Sequence, residues 1–389
     1  VAAGPYATKY LAEHGATVIK VESLKNPDIN RAYVPMAGGI SGINRCGIFN
    51  WCNNDKYCMS LDLTHPRAPE VARKLVDWAD IVVENFRPQV MERRGLGYED
   101  LRKIKNDIIM VRVSSLGQEG PHALLRGLGP FLVGLAGFTP TLGWPDRPPI
   151  GPTTVPYTDH LGSLYATIAI LGAIDYRRRT GEGQCIDLSQ VEAGVTTLAS
   201  AILDYEANDR DLKLVGNHHQ WACPHGVFRC QGDDRWCAIA VFSDEEWQYL
   251  CRAMGSPDWS TDSKWATVES RKANEDELET LIEKWTIQQS SQEVMNILQR
   301  SGVRSGIVQS AEELVGDPQL EHRHHFRSVE HPEVGKHLVE APAFVLSETP
   351  AELKMPAPCM GEHTEYVCTE ILGMSDEEFV ELVVSGVLE

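Results

Sequence analysis

The sequence predicts an α/β protein: a large domain on a mostly parallel sheet, with a second, smaller α+β domain. Three observations carry this. Short β-branched runs alternate with amphipathic helical stretches from about residue 5 to 114 and again from 160 to 189, the pattern of a doubly wound sheet. After about Gly216 the pattern changes to a hairpin followed by several helices. The chain has 389 residues, enough for two separate cores.

Residues 5–15 read as a helix with Tyr6, Tyr10 and Leu11 apolar, closed by His14-Gly15. Residues 17–22 are β-branched and make a strand. The opening Val1-Ala-Ala-Gly-Pro reads as the end of a strand and its turn, so an earlier strand is expected in a longer protein. An amphipathic helix at 66–79 precedes a buried strand at 81–84, and a helix at 96–104 precedes a strand at 108–114. Residues 120–156 are rich in Gly and Pro and are expected to be largely loop. A long helix at 160–179, a strand at 184–189 and a helical pattern at 190–206 follow. Residues 227–230 and 236–240 alternate around Gln231-Gly-Asp-Asp234, a hairpin signal. Helices are then expected at 244–254, 274–287 and 291–300, which places the small domain at 217–325. The tail from 326 has a Pro-rich stretch at 342–358 and a final helix near 376–385.

The formal net charge is −19, which argues against nucleic-acid binding because that needs a basic face. An anionic ligand held by a few local arginines remains compatible with it. None of the ten cysteines forms a Cys-x-x-Cys pair, so neither a zinc knuckle nor a dithiol redox motif is supported. With no signal peptide and no apolar run long enough to span a membrane, they read as reduced thiols of a cytoplasmic protein. His218-His219 and His324-His325 are adjacent pairs. Neighbouring side chains in a strand point to opposite faces, so no metal is expected there.

Three segments carry candidate chemistry. Gly4-Pro5 opens a helix whose free N–H groups suit phosphate, though a plain strand-to-helix connection reads the same way. Asn85-Phe86-Arg87-Pro88 follows a strand, where an open α/β sheet binds ligands. Phe86 offers a ring for a base, and Arg87, Arg93 and Arg94 offer forks for phosphate; an exposed loop with surface arginines is the alternative. Asp159, in Pro156-Tyr-Thr-Asp-His160, stands at the start of the long helix. It is either an N-cap, contributing about 1 kcal/mol, or a carboxylate nucleophile toward an acyl thioester.

Several motifs together resemble family III CoA-transferases. They are Gly4-Pro-Tyr-Ala with His14-Gly-Ala-Thr-Val-Ile-Lys-Val-Glu22, Asn54-Asp-Lys-Tyr-Cys-Met-Ser-Leu-Asp-Leu63, Glu84-Asn-Phe-Arg-Pro88, Arg94-Gly-Leu-Gly-Tyr98, Ser114-Ser-Leu-Gly-Gln-Glu-Gly-Pro121 and Arg179-Thr-Gly-Glu-Gly-Gln184. Gly143-Trp-Pro-Asp-Arg-Pro-Pro149 and Tyr157-Thr-Asp159 resemble the branch containing benzylsuccinate CoA-transferase subunits. The resemblance implies an interlocked dimer and a Rossmann-like large domain assembled from residues 1–216 and 326–389. It implies coenzyme A as the carried group, Asp159 as nucleophile, and Val1, Ala2, Arg31, Lys56, Asn85, Phe86 and Arg93 as CoA contacts. It further implies reversible CoA transfer through aspartyl anhydride and thioester intermediates, by a homodimer or by a heteromer with a related subunit.

Departures from the pattern matter as well. Ala2 replaces a glutamine next to the nucleophile and Ser115 replaces a lysine, which speaks against formyl or oxalate specificity. The family's glycine-rich loop reads Gly216-Asn-His-His-Gln-Trp-Ala-Cys-Pro-His-Gly226 here, so His218, His219 and Trp221 are expected to shape the acid's pocket. The racemases of the family carry a second acid–base histidine where this chain has Leu128, which ranks an acyl-CoA racemase or epimerase below transfer. A non-catalytic CoA-binding subunit is the other alternative.

Overall fold

A computed structural model of the chain describes residues 2–150 and 156–389. The fold is mixed α/β and falls into two compact units. The first comprises Val1–Thr139, Gly151–Asp211 and Gln319–Glu389, and the second Pro140–Ile150 and Leu212–Pro318.

In the first unit, β1 (Val18–Glu22) pairs in parallel with β2 (Lys56–Ser60). A separate parallel sheet runs β3 (Ile81–Glu84), β4 (Ile109–Ser114), β5 (Cys185–Ser189), with Ile81 opposite Ile109 and Met110 opposite Cys185. All six residues of β4 are buried, as expected for a central parallel strand covered on both faces. The two-residue period sorts its side chains. Ile109, Val111 and Val113 pack on Ala3 and Ala7 of the helix Ala3–Glu13 and on Ala166, Ile170 and Ala173 of the long helix Tyr157–Thr180. Ile108 and Met110 join Ala72 and Val76 of the helix Ala68–Trp78 and Leu101 of the helix Tyr98–Ile104.

The long helix lies close to this layer because its inward stripe is small: Gly162, Ser163, Ala166 and Ala173 are all buried, at spacings of three, four and seven that share one face. Its other face leaves Leu164, Tyr165, Ile168 and Leu171 exposed. It ends at Gly181 in the left-handed region, φ 77°. Two residues later, a Cβ on Gly183 would lie 2.2 Å from Ile108 O, so only glycine lets the chain pass that backbone into β5. An antiparallel pair, β9 (Phe326–His331) and β10 (Gly335–Glu340), belongs to the same unit.

The second unit carries an antiparallel sheet: β6 (His225–Arg229), β7 (Trp236–Ala240) and β8 (Arg304–Ile307). Its core gathers Phe228, Ile239, Trp247, Trp265, Leu278, Ile282, Val294 and Leu298. The buried Arg271 guanidinium donates to Cys223 O, Trp265 O and Asp244 Oδ1, which satisfies its charge and donors inside that core.

Several expectations are corrected. The glycine-rich stretch 120–156 is largely loop among its described residues, as expected, but it also holds a short helix, Gly129–Leu135. Its Gly129 and Pro130 stand at the first helical positions, where a missing N–H costs nothing. The helical pattern at 190–206 is two helices, Gln190–Val195 and Ala199–Asn208, separated by a 3-10 turn at Thr196–Leu198. The long helix starts at Tyr157, three residues early, so Asp159 is not its N-cap; Pro156 holds that position and no side chain caps it. Among the described residues, no helix is long and apolar enough to cross a membrane.

Candidate active site

The carboxyl ends of β3, β4 and β5 lie side by side, so the residues after them converge. Asn85 follows β3, and its Nδ2 donates to Val113 O at 2.6 Å. Gly4 sits against it: a Cβ there would lie 3.3 Å from Asn85 Cβ. Ser115 follows β4, and its carbonyl accepts from Val191 N at 3.1 Å. Gln190 follows β5 and is buried. Phe86 is half exposed, with its backbone N–H held by Glu84 Oε2 at 2.7 Å.

Asp159 belongs to the first turn of the long helix, whose dipole favours a carboxylate. Gln190 Nε2 donates to Asp159 Oδ1 at 2.5 Å. The other oxygen, Oδ2, lies against Gly129: a Cβ there would be 2.7 Å from Oδ2 and 2.6 Å from Pro156 Cβ. Burial raises the pKa of Asp159 above the usual aspartate value, and the Gln190 hydrogen bond opposes the shift. The side chain is thus a half-buried carboxylate with one oxygen engaged by Gln190 and partial desolvation favouring reaction at the other.

The backbone around it is tied down. Ser163 Oγ lies 2.8 Å from Ala3 O and 2.7 Å from Asp159 O, which joins the start of the first helix to the turn that carries Asp159. The N–H groups of a helix's first turn have no partner within the helix, so those of Ala3 and Gly4 are candidate oxyanion donors. His160 packs edge-on to Tyr6 at 5.3 Å and against Trp51 at 5.2 Å. Burial lowers its pKa below the usual histidine value, favouring the neutral ring.

The cations expected from the sequence divide into two kinds. Arg31 is buried: it makes a bidentate pair with Glu22 at 2.9 Å and 2.9 Å, donates to Asn44 Oδ1 at 2.9 Å, and stacks 3.5 Å over Phe49. Lys56 is equally enclosed, its Nζ bonded to Pro5 O, Cys52 O and Asn53 Oδ1 at 2.6, 2.8 and 3.1 Å. Both have their donors committed inside the unit. Arg93 is exposed and lines a hollow of about 490 Å³ with Thr64, His65 and Arg94. Neither arginine makes a side-chain hydrogen bond or ion pair among the described residues. Arg87 reaches Leu124 O at 3.1 Å. A second hollow of about 380 Å³, mostly apolar, runs from Ser115 past Arg126 and Gly127 to Phe131 and Leu135.

Ala2 immediately precedes the first helix, and its carbonyl accepts from Tyr6 N; Val1 lies outside the described residues. His218, His219 and Trp221 belong to the second unit, Asp159 to the first. His219 packs with Trp221, His225 and Phe242. His218 has Nδ1 3.5 Å from Glu275 Oε2 and Nε2 3.2 Å from Glu279 Oε1. Among the described residues these three form the one group with metal-ligand potential, but Lys272 Nζ already sits 2.6 Å from Glu275.

Sequence reasoning missed Gln190. The usable signal was its position: the first residue after β5, behind a serine that caps the next helix.

Comparison with known proteins agrees with the motifs. A family model described as CoA-transferase family III matches residues 1–364. The chain is 30% identical over 388 residues to succinyl-CoA–D-citramalate CoA-transferase of Chloroflexus aurantiacus, covering 99% of this chain and 94% of that one. It is 30% identical to the succinyl-CoA–L-malate CoA-transferase beta subunit of the same organism, at 98% and 94% coverage. Among solved structures, a CAIB/BAIF family protein from Brucella suis superposes with a TM-score of 0.86 at 29% identity, over 95% of this chain and 96% of that one.

Proposed function

This chain belongs to CoA-transferase family III, and from that premise we propose that it moves coenzyme A between carboxylic acids through covalent intermediates on Asp159. The observation that carries the reading is the carboxylate itself: half-buried, held through one oxygen by Gln190, at the carboxyl edge of a parallel sheet. Asp159 attacks the donor thioester carbonyl and expels the CoA thiolate, giving a mixed anhydride. The thiolate attacks Asp159 Cγ and releases the donor acid, leaving an aspartyl–CoA thioester. The acceptor carboxylate then displaces the thiolate, which finally takes the new acyl group and frees Asp159.

Arg93 and Arg94 are the cations we assign to the CoA phosphates, because Arg31 and Lys56 have their donors engaged. Lys56 then supports the site by fixing the backbone around Cys52 and Pro5, and Arg31 ties Glu22 to Asn44 and to the carbonyls of Ile43 and Pro358. Phe86 offers its half-exposed ring and Asn85 borders the same strand end. Replacing Arg93 and Arg94 together by alanine is expected to raise the KM for acyl-CoA about ten- to a hundredfold with little change in kcat, the worth of charged hydrogen bonds. Steady-state kinetics checks it; an unchanged KM contradicts the assignment.

For the acids, we infer a dicarboxylate pair. Both relatives named above couple succinyl-CoA to a hydroxylated dicarboxylic acid. Arg126, on the rim of the apolar hollow next to Gly127, is a cation for the far carboxylate. Incubation with succinyl-CoA and a panel of acids, with new thioesters read by mass, should give dicarboxylyl-CoA products ahead of monocarboxylyl ones. Deuterium entering the α-carbon without acid exchange would instead indicate a racemase. CoA binding without turnover would indicate a non-catalytic subunit.

A Rossmann-like large domain and an interlocked dimer complete the proposal. The exposed apolar face of the long helix, Leu164, Tyr165, Ile168 and Leu171, is the surface such a dimer would cover. The partner is a second copy or a related chain, since one relative is named as a beta subunit.

A further inference from the structure

Gln190 has no role in the steps above, yet its placement is specific. It is 4% exposed and stands first in a helix capped by Ser189 Oγ, which accepts from Glu192 N. Gly162 clears its path: a Cβ there would lie 3.1 Å from Gln190 Cγ. A carboxylate only accepts hydrogen bonds, so the amide turns its nitrogen toward Asp159 Oδ1. Oδ2, beside Gly129, has no protein donor assigned to it among the described residues.

We propose that Gln190 is a catalytic hydrogen-bond donor that stabilises the oxyanion formed on Asp159 Oδ1 during thiolate and acceptor attack; this rests on Asp159 being the nucleophile. Oδ2 forms the new bond to the donor's acyl carbon and becomes the bridging oxygen of the anhydride. When the CoA sulfur bonds to Cγ, the Cγ–Oδ1 π pair moves onto Oδ1. Collapse re-forms that carbonyl and breaks the Cγ–Oδ2 bond, so Oδ2 departs in the donor acid. The acceptor's attack on the aspartyl thioester repeats the pattern: a carboxylate oxygen bonds to Cγ, charge builds on Oδ1, and the Cγ–S bond breaks. Oδ1 stays on Asp159 through all of this and carries the charge twice, while Gln190 Nε2 already points at it. A fixed donor aimed at developing charge acts in the transition state and adds little to ground-state binding.

The test compares Gln190→Met, equal in length without a donor, with Gln190→Glu and Asp159→Ala. Loss of one oxyanion donor predicts that Gln190→Met lowers kcat by about 10²–10³. The KM for acyl-CoA should stay within about threefold, since substrate binding is not its task. The acid limb of kcat/KM should move to higher pH, because the bond that favours the ionised carboxylate is gone. Gln190→Glu should be poorly active at pH 8 and recover as pH falls, when the introduced carboxyl regains a proton to donate. If Gln190→Met keeps kcat within about threefold, or loses kcat and KM together with an unmoved acid limb, the donor role is wrong. If Gln190→Met does not fold, an unchanged pH profile in Gln190→Glu overturns the proposal equally. Transfer retained by Asp159→Ala would instead remove the nucleophile assignment, whatever the Gln190 variants do.

Discussion

Asp159→Ala is expected to lower kcat/KM for CoA transfer by about four orders of magnitude or more, because the covalent route has no second carrier. CoA binding, read by calorimetry, should persist, since Arg93 and Arg94, the cations proposed for the phosphates, line a hollow that Asp159 does not. Hydroxylamine should derivatise Asp159 in the native protein during turnover and nothing at that position in the variant. Retained transfer would sink the assignment. The pH dependence follows from the same carboxylate. Only the ionised form attacks, and burial raises its pKa, so activity on the acid side should fail at a higher pH than for an exposed aspartate, about 3.9. An acid limb at or below that value contradicts the buried placement.

Gly129→Ala is expected to slow turnover about 10²-fold, less than loss of the carboxylate itself, while leaving the fold standing. The added methyl would lie 2.7 Å from Asp159 Oδ2 and 2.6 Å from Pro156 Cβ, well inside van der Waals contact for both. Either the carboxylate swings away or the turn before the long helix moves. A displacement of this size at the reacting atom costs about 10²-fold in rate, while overpacking costs about 1–3 kcal/mol of stability. Measured kcat and thermal unfolding separate the two. A variant with wild-type kcat would show that Oδ2 does not work from the position over Gly129.

The layered part of the fold was legible because it obeys local periods. β3 and β4, the helix Ala68–Trp78 and most of the long helix are read directly from runs of two- and 3.6-residue periodicity. β2 and the β9–β10 pair were not assigned. Lys56-Tyr-Cys-Met-Ser60 has no clear alternation, since four of its five residues are buried and its strand exists by pairing with β1. The helix Gly129–Leu135 was hidden by its two glycines, of which Gly129 leaves room for Asp159 Oδ2 and Pro156.

The site was legible in type and only partly in wiring. Ordered motifs singled out Asp159 as the candidate nucleophile, and its alternative role as N-cap was wrong by three residues of helix. Arg31 looked like an open cation; Glu22 and Phe49 enclose it. Nothing local in the sequence says whether an arginine's donors meet ligand or protein, because that depends on which strand ends beside it.

By itself, then, the sequence determined the family, the α/β layering and the carboxylate proposed as nucleophile. These follow from local composition and ordered motifs. Only the tertiary structure decided that Gln190, 31 residues away, holds Oδ1, that Gly129 makes room for Oδ2, and that Arg93 and Arg94, not Arg31 and Lys56, face an open hollow. The physical reason is common to all three. Each depends on where the parallel strands end after long crossovers, and short-range periodicity in a sequence does not encode that distance.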